Sequence, residues 1–264
     1  MTPNKAMVPL VFITGASSGI GQALAWRFYQ AGYSLALVAR RTDEVEKWAS
    51  ARAVSVSRYQ IYSADVAVVD SIVAAGVQCL QLQGTPDVVI ANAGISVGID
   101  TAVRGDLDVM AQVFATNNLG LAATFHPFLD AMTKRGTGAL VGIGSVAGIR
   151  GLPGHGAYCA SKAAVISYCE SLRGELRASG LKVVTISPGY IDTPLTQKNR
   201  YAMPFLMQPE DFADKAFNAI AAATSYQVIP WQMGWVAKAM RVLPNVLFDK
   251  LLSGRPRKHR KNED

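Results

Sequence analysis

Cysteine is scarce in this chain of 264 residues, which has only Cys79, Cys159 and Cys169 and no CxxC pair. An odd count at these spacings argues against a disulfide framework and against a zinc site, so no metal is expected. Long apolar runs are also missing. No stretch approaches about eighteen uninterrupted apolar residues, and none precedes Val8, so neither a transmembrane helix nor a cleaved signal peptide is predicted. A cytoplasmic protein is therefore expected.

Charged residues are few, at 17% of the chain, whereas hydrophobic residues make up 50%. This balance excludes a largely disordered chain and is typical of a domain with a sizeable core. The net charge of +7 fits an anionic ligand such as a phosphorylated cofactor. Basic and aromatic residues do not interleave along a stripe, which argues against a nucleic-acid partner.

No linker rich in Ser, Pro or Gly divides the chain before its C-terminal end. We therefore predict one domain over residues 1–252, with an apolar helical extension from about residue 230. The last twelve residues, 253–264, hold five Arg or Lys against Glu263 and Asp264. This basic tail is predicted to be flexible.

Apolar runs of strand length alternate with segments of helical periodicity. Strands are predicted at 8–14, 34–39, 56–62, 88–91, 139–143, 183–187 and 226–229. Helices are predicted at 19–31, 43–53, 67–82, 105–114, 118–134, 157–179 and 209–224. Strands that alternate with helices form βαβ units with right-handed crossovers, which predicts an α/β fold with a parallel sheet.

The first predicted strand runs into the sequence TGASSGIG. Its glycines, Gly15, Gly19 and Gly21, stand where the backbone must turn sharply and approach a pyrophosphate at a helix N-terminus. A Walker A loop is excluded because the Lys-Ser/Thr pair is missing. We predict a dinucleotide-binding turn, and an ordinary Gly/Ser loop is the alternative.

Two arginines, Arg40 and Arg41, follow the second predicted strand, where NAD-binding proteins usually carry Asp or Glu. A carboxylate there would repel a ribose 2′-phosphate, whereas a guanidinium binds it with charge-assisted hydrogen bonds. NADP(H) is therefore predicted over NAD(H). The alternative is two solvated arginines at a strand end.

Four motifs together resemble those of the short-chain dehydrogenase/reductase superfamily, in its short single-domain branch. They are the glycine turn, Asn92-Ala93-Gly94, Ser145, and Tyr158 with Lys162, and the match runs from residue 8 to about 229. The resemblance implies a doubly wound Rossmann fold, with a single parallel sheet of about seven strands flanked by helices. It also implies hydride transfer between NADP(H) and a carbonyl or alcohol, and a homodimer or homotetramer assembled through long helices.

The resemblance further implies which residues contact the cofactor. Besides the three glycines and the two arginines, they are Ser17, Ser18, Ile20, Asp65, Val66, Asn92, Ala93, Gly94, Tyr158, Lys162, Pro188, Gly189, Ile191 and Thr193. Structural alternatives stay open at three places. Asp65 could cap a helix, and the segments at Asn92 and at Pro188 could be plain turns.

Tyr158 and Lys162 are four residues apart in a predicted helix, so both project from one face. Tyrosine, with a pKa of about 10, is a poor base at neutral pH, but a nearby ammonium would lower that pKa. Tyr158 could then donate a proton to a carbonyl oxygen or accept one from an alcohol. Ser145, after a strand, could polarise the substrate oxygen. By itself, a tyrosine and a lysine four residues apart are a common pair on the exposed face of a helix.

The resemblance assigns two further catalytic roles. It implies that Lys162 contacts the nicotinamide ribose and extends a proton relay. The family's catalytic asparagine corresponds to Asn117, and the adjacent Asn118 is the alternative. His126 is expected to pack in an apolar helix, whereas His155 could meet a substrate.

Residues 193–209 correspond to the segment that closes over the substrate in that family. Its apolar side chains favour a small hydrophobic carbonyl or alcohol, such as a ketosteroid or a 3-oxoacyl compound, over a sugar. They are Ala202, Met203, Phe205, Leu206 and Met207. The segment could instead pack on a partner subunit.

The C-terminal segment 229–252 holds two apolar half-helices separated by Pro244 and interrupted by Lys238, Arg241 and Lys250. This pattern fits peripheral contact with an anionic membrane, closure of the active site, or a subunit interface. Two other functions stay open: a regulatory protein that binds NADP(H) without turnover, and a scaffold at a membrane surface.

Overall fold

Seven strands form the frame of the molecule. The computed structural model describes residues 8–197, 199, 202–254, 258 and 260. Its strands are β1 Leu10–Thr14, β2 Ser34–Ala39, β3 Tyr59–Ser63, β4 Val88–Ala91, β5 Ala139–Ile143, β6 Lys182–Pro188 and β7 Tyr226–Ile229. All pair in parallel in the order β3-β2-β1-β4-β5-β6-β7. The predicted single parallel sheet is confirmed.

Helices connect the strands and cover both faces of the sheet. They are α1 Gly19–Gln30, α2 Thr42–Ala51, α3 Val69–Leu82, α4 Arg104–Phe114, α5 Gly120–Phe125, α6 Leu129–Arg135, α7 Gly156–Glu175, α8 Pro209–Ala221, α9 Trp231–Val242 and α10 Asn245–Leu252. Within the described ranges, no helix is both long and apolar enough to cross a bilayer.

Two apolar layers hold the helices against the sheet. On one face α1 packs on α8, and the rings of Phe28 and Phe217 meet edge-on, 4.9 Å apart. On the other face Phe12 meets Phe128 with ring centroids 4.7 Å apart. Phe12 and its neighbour Ile13 belong to different layers because successive strand residues point to opposite faces. The strands are therefore apolar on both faces, as is typical of buried parallel sheets.

Local structure departs from the predicted bounds most clearly at the third strand and at the helix predicted over 118–134. The third strand begins at Tyr59, because Val56–Arg58 forms a 3-10 turn whose Arg58 side chain donates to the carbonyl of Tyr29 at 3.0 Å. The predicted helix at 118–134 is divided near Pro127, which has no N–H to donate. It is preceded by a π-helical turn at Ala115–Leu119.

The strand order reverses between β1 and β4, since β2 and β3 lie on one side and β5 to β7 on the other. At such a switch point the loops that follow neighbouring strands diverge and leave a crevice beyond their carboxyl ends. The loops after β1 and β4 border this crevice, and the predicted site residues meet there.

Candidate active site

One cleft of about 320 Å³ at the carboxyl ends of the strands gathers nearly all the predicted site residues. Those that line it are Gly15, Ser17, Ser18, Gly19, Ile20, Arg40, Arg41, Asp65, Val66, Asn92, Ala93, Gly94, Ser145, Tyr158, Lys162, Pro188, Gly189, Ile191 and Thr193. Gly21 and Asn117 are buried behind its wall instead. Gln112 and Thr116 also line the cleft, although no sequence motif pointed to them.

The glycine turn packs backbone against backbone. Gly15 has a φ of +71°, in the left-handed region that favours glycine. At Gly21 an added Cβ would stand 2.1 Å from the Gly15 carbonyl oxygen. Helix α1 has no acid in its first turn and no side-chain cap from Ser18, which leaves its first N–H groups to an anion. This cradle fits a pyrophosphate.

Both arginines after β2 border the cleft. Arg40 Nη1 lies 3.5 Å from Asp65 Oδ2, and Arg41 Nη2 donates to Ser17 Oγ at 3.4 Å. Asp65 also accepts from the N–H of Ala67 at 3.0 Å, in a turn that precedes α3 and does not cap it. Two guanidinium groups thus stand at the β2 end of the cleft, suited to a phosphate.

The segment after β4 binds directly to the end of β1. Asn92 Nδ2 donates to the Thr14 carbonyl at 2.9 Å. The Thr14 hydroxyl accepts from the N–H groups of Asn92 and Ala93 at 3.1 and 3.2 Å. This network holds the two loops of the switch point together and places Gly94 on the cleft wall. Thr14 therefore belongs to the framework of the site, although only its place before the first glycine indicated it.

Ser145, Tyr158 and Lys162 converge where β5 and α7 meet the cleft. Ser145 and Tyr158 both line the cleft here, and the Ser145 hydroxyl accepts from the Ala147 N–H at 3.1 Å. Lys162 Nζ donates to the Ile143 carbonyl at 2.8 Å and lies 5.9 Å from the centroid of the Tyr158 ring. The turn after Ser145 approaches α7 so closely that a Cβ on Gly148 would stand 2.7 Å from the Lys162 carbonyl. This close packing holds the three side chains together.

Burial dominates the protonation of the Tyr158–Lys162 pair. It raises the pKa of Tyr158, while the neighbouring Ser145 hydroxyl acts in the opposite direction. Burial also lowers the pKa of Lys162 to about 8. The expected lowering of the tyrosine pKa by a nearby ammonium is therefore not found, and burial has the largest effect. The phenol keeps its proton at neutral pH and is suited to donate it.

Lys162 should make the free energy of unfolding depend on pH. Its pKa is about 8 in the folded chain, against about 10.4 for an unfolded lysine. Between these values the unfolded state binds more protons, so stability rises with pH and is lowest below the folded pKa. We compare the wild-type chain with the Lys162→Met variant by thermal unfolding at several pH values. The free energy of unfolding of the wild type should rise relative to that of the variant from about pH 8 to about pH 10. A difference that stays constant over this range would contradict the burial effect.

Asn117 points inward from the π-helical turn and is 1% exposed. Its Oδ1 accepts from the Ile95 N–H at 2.9 Å, and its Nδ2 donates to the Ile95 carbonyl at 3.0 Å and to Ser161 Oγ at 2.9 Å. Ser161 donates in turn to the Tyr158 carbonyl at 2.8 Å. Asn118 contacts only the outer side of this network, through the Ser161 carbonyl at 2.8 Å. Asn117 therefore positions the cleft wall behind the tyrosine.

The segment between β6 and α8 borders the cleft on the side away from the arginines. Its ends lie together, because the Met207 N–H donates to the Tyr190 carbonyl at 3.0 Å and the Asp192 N–H donates to the Met207 carbonyl at 2.9 Å. Leu195 lines the cleft, and Phe205 is half exposed. The predicted lid also includes positions outside the described residues, at 198, 200 and 201.

Two positions of the basic tail are described, and both are held to the body of the molecule. Lys258 Nζ donates to Asn199 Oδ1 at 2.7 Å. Arg260 Nε pairs with the buried Asp106 carboxylate at 2.7 Å. The other tail positions from 255 onward lie outside the described part of the chain.

His126, His155 and the three cysteines stand apart from the cleft. His155 is buried, with Nδ1 at 3.0 Å from the Pro153 carbonyl, and His126 is exposed instead of packed. Neither lines the cleft. The three cysteines are buried free thiols, as expected for small apolar side chains. Among the residues that the structure describes, no three His, Cys, Asp or Glu side chains are placed to hold a metal ion.

Known proteins resemble this chain over most of its length. A family model described as short chain dehydrogenase matches residues 9–204. An uncharacterized oxidoreductase of Myxococcus xanthus is 36% identical, over 90% of this chain and 93% of that protein. Dehydrogenase/reductase SDR family member 7B of Bos taurus is 33% identical, over 96% of this chain and 83% of its own length.

Solved structures share the fold as well. A short-chain dehydrogenase from Sphingobium yanoikuyae in complex with NADPH is 26% identical, with a TM-score of 0.77, and the match covers 94% of this chain and 96% of that one. An alcohol dehydrogenase from Thermococcus sibiricus, complexed with 5-hydroxy-NADP, is 25% identical with a TM-score of 0.74, over 84% and 95%. The residues that match the family model include Asn117, Ser145, Tyr158 and Lys162.

Proposed function

Because this chain belongs to the short-chain dehydrogenase family of oxidoreductases, we propose that it transfers hydride between NADP(H) and a hydrophobic carbonyl or secondary alcohol. The observation that carries the proposal is the packed set of Ser145, Tyr158 and Lys162 on the wall of the cleft. The same cleft contains the glycine cradle and the two arginines, which fit a phosphorylated dinucleotide.

The chain's own residues handle the proton and the oxygen of the substrate. When bound, the nicotinamide supplies or accepts the hydride. Tyr158 Oη donates its proton to the carbonyl oxygen in reduction and takes it back in oxidation. Ser145 Oγ, beside the phenol, hydrogen-bonds the same oxygen as negative charge develops on it. Lys162, which would also hold the nicotinamide ribose, stabilises the phenolate once the proton has left.

Reduction is the proposed direction at neutral pH, because the raised pKa of Tyr158 keeps the phenol protonated and ready to donate. A hydrophobic substrate is proposed because Leu195 lines the cleft and the adjoining segment carries Phe205, Leu206 and Met207. NADPH oxidation measured against ketosteroids, 3-oxoacyl thioesters, quinones and aliphatic ketones would identify the substrate class. Turnover of polar sugars alone would overturn this part of the proposal.

Arg40 and Arg41 should set the cofactor preference. A hydrogen bond to a charged partner contributes about 1.5–3 kcal/mol, so Arg40→Ala or Arg41→Ala should raise KM for NADPH by roughly 10- to 100-fold. KM for NADH should change little, since it has no 2′-phosphate. Arg104→Ala, an exposed arginine outside the cleft, is the matched control and should leave both values unchanged. A wild-type preference for NADH would contradict the assignment.

We also propose that the enzyme assembles as a homodimer or homotetramer. Leu107 of α4 and Leu119 of the π-helical turn are exposed apolar side chains on adjoining helical segments. Burial of this surface against a second copy would stabilise an assembly. Light scattering of the protein as it elutes from a size-exclusion column should give the mass of a dimer or a tetramer. The Leu107→Glu variant should shift that mass toward the monomer.

A further inference from the structure

Helices α9 and α10 lie beyond the residues that match the family model and turn an apolar face to solvent. On α9, Trp231, Trp235, Lys238 and Val242 recur at i, i+4, i+7 and i+11, so they share one face. Trp231 is 64% exposed, Trp235 67% and Val242 81%. Contiguous apolar exposure of this kind marks a surface that contacts a partner or a membrane.

Helix α10 also exposes apolar side chains. Val246, Leu247 and Leu251 are exposed together with Asn245, Asp249 and Lys250, whereas Phe248 and Leu252 face the body and are buried. We call eight of the exposed side chains of the two helices the tryptophan face; Val236, Ala239, Arg241, Asn245 and Asp249 are exposed on the same helices. The tryptophan face consists of Trp231, Trp235, Lys238, Val242, Val246, Leu247, Lys250 and Leu251.

The body of the protein fixes the orientation of both helices. Arg150 Nη1 donates to the carbonyls of Met240 and Leu243, at 2.8 Å for the latter, and Nη2 donates to Asn245 Oδ1 at 3.0 Å. Its guanidinium also lies 3.7 Å from the centroid of the Phe248 ring. One arginine thus joins the end of α9 to the start of α10. The tryptophan face is therefore a fixed surface of the fold.

The charges around this surface complement an anionic lipid surface. From Trp231 to Leu252 the chain has three basic residues, Lys238, Arg241 and Lys250, and the single acid Asp249. Lys238 Nζ lies over the Trp235 ring, 5.5 Å from its centroid, so a positive charge stands directly beside the exposed indole. On a bilayer such a lysine reaches the lipid phosphates while the indoles enter the interface.

A second copy of the chain fits this surface less well. In a two-fold dimer the tryptophan faces of the two copies would contact each other. The basic side chains of the two copies would then lie close together in a partly desolvated interface, where like charges repel. Anionic headgroups would instead neutralise them. We propose that the tryptophan face docks the protein reversibly on the surface of an anionic lipid bilayer.

Docking would bring the substrate side of the cleft near the lipid. Trp231 and Met207 line one groove, and Met207 closes the segment that contains the cleft residue Leu195. This consequence rests on the proposed hydrophobic substrate, which could pass from the bilayer to the cleft without crossing bulk water. The docking itself depends only on α9 and α10.

Sedimentation of the full chain with lipid vesicles tests the proposal. We expect binding to phosphatidylcholine vesicles that contain phosphatidylglycerol, weak binding to pure phosphatidylcholine, and release at high salt. Trp231→Ser combined with Trp235→Ser should weaken binding by at least about tenfold, since two buried indoles are lost. Lys238→Glu should weaken it as well. The matched control is Val56→Ser, 81% exposed in the turn before β3, which should bind like wild type.

Activity with a water-soluble ketone separates this proposal from the proposed function, because the tryptophan variant should retain it. If the protein binds vesicles but reduces no ketone, the docking proposal is supported and only the proposed enzymatic function is contradicted. Docking is overturned if the wild-type chain binds no anionic vesicles or if the tryptophan variant binds them equally well. It is also overturned if the tryptophan variant converts an oligomer to monomer in light scattering, since a second copy would then cover the face.

Discussion

Tyr158→Phe is expected to lower kcat for NADPH-dependent ketone reduction by about 10²- to 10⁴-fold, the usual contribution of a general acid. The substitution removes only the phenolic oxygen, the group proposed to donate the proton. The ring keeps its place on α7, and the glycine cradle and the arginines are untouched. Steady-state kinetics together with fluorescence titration of NADPH should therefore show lost turnover with nearly unchanged cofactor binding.

Tyr168→Phe is the control for this experiment. Tyr168 lies on the same helix, is 37% exposed and does not line the cleft, so its variant should turn over like wild type. Equal losses in the two variants would mean that α7 is sensitive to any change and that Tyr158 has no special role. A wild-type chain that binds NADPH and reduces none of the tested carbonyls would instead favour the regulatory alternative.

Asn117→Ala should lower the free energy of unfolding by roughly 2–4 kcal/mol, because it leaves both backbone groups of Ile95 and the Ser161 hydroxyl short of a buried partner. The wall beside Tyr158 would loosen with it, so kcat should also fall at temperatures where the variant is folded. Urea denaturation and activity measured on the same preparation would show both effects.

Asn118→Ala provides the matched comparison. Asn118 makes a single hydrogen bond, to the Ser161 carbonyl, so its loss should cost about 1 kcal/mol and leave kcat near that of wild type. If Asn118→Ala were the more damaging substitution in both measurements, the correspondence of Asn117 with the family's asparagine would be off by one residue.

The sequence pattern predicted the sheet well where strands are buried on both faces. Ser34–Ala39, Val88–Ala91 and Ala139–Ile143, all largely buried, have the bounds that their apolar runs indicated, and so does the partly buried edge strand Tyr226–Ile229. A short run of large apolar residues, bounded by turn residues, is compatible with few other structures in an alternating α/β chain. The third strand was less clear because it is only partly buried and its first residues form a turn.

The motifs indicated most residues of the site, but not the contacts that assemble it, because those contacts join residues far apart in the chain. The bond between Asn117 and Ser161 spans 44 positions, and the bonds between Thr14 and Asn92 span 78. A π-helical turn also has no distinct composition, so the inward orientation of Asn117 could not be predicted from spacing. The protonation of Tyr158 and Lys162 was misjudged for the same reason, since burial arises only when α7 packs on β5 and its following turn.

The segment between β6 and α8 suggests how the substrate range of such a protein could be altered. Its two ends meet through the paired backbone of Ile191 and Met207, so the intervening residues leave and return to nearly the same point. A replacement of different length or composition could be grafted between these anchors without shifting any strand. The phosphate cradle lies on the turn after β1 and the proton donor on α7, both outside this segment, so a graft that keeps Thr193 would change the substrate side and leave the cofactor site in place.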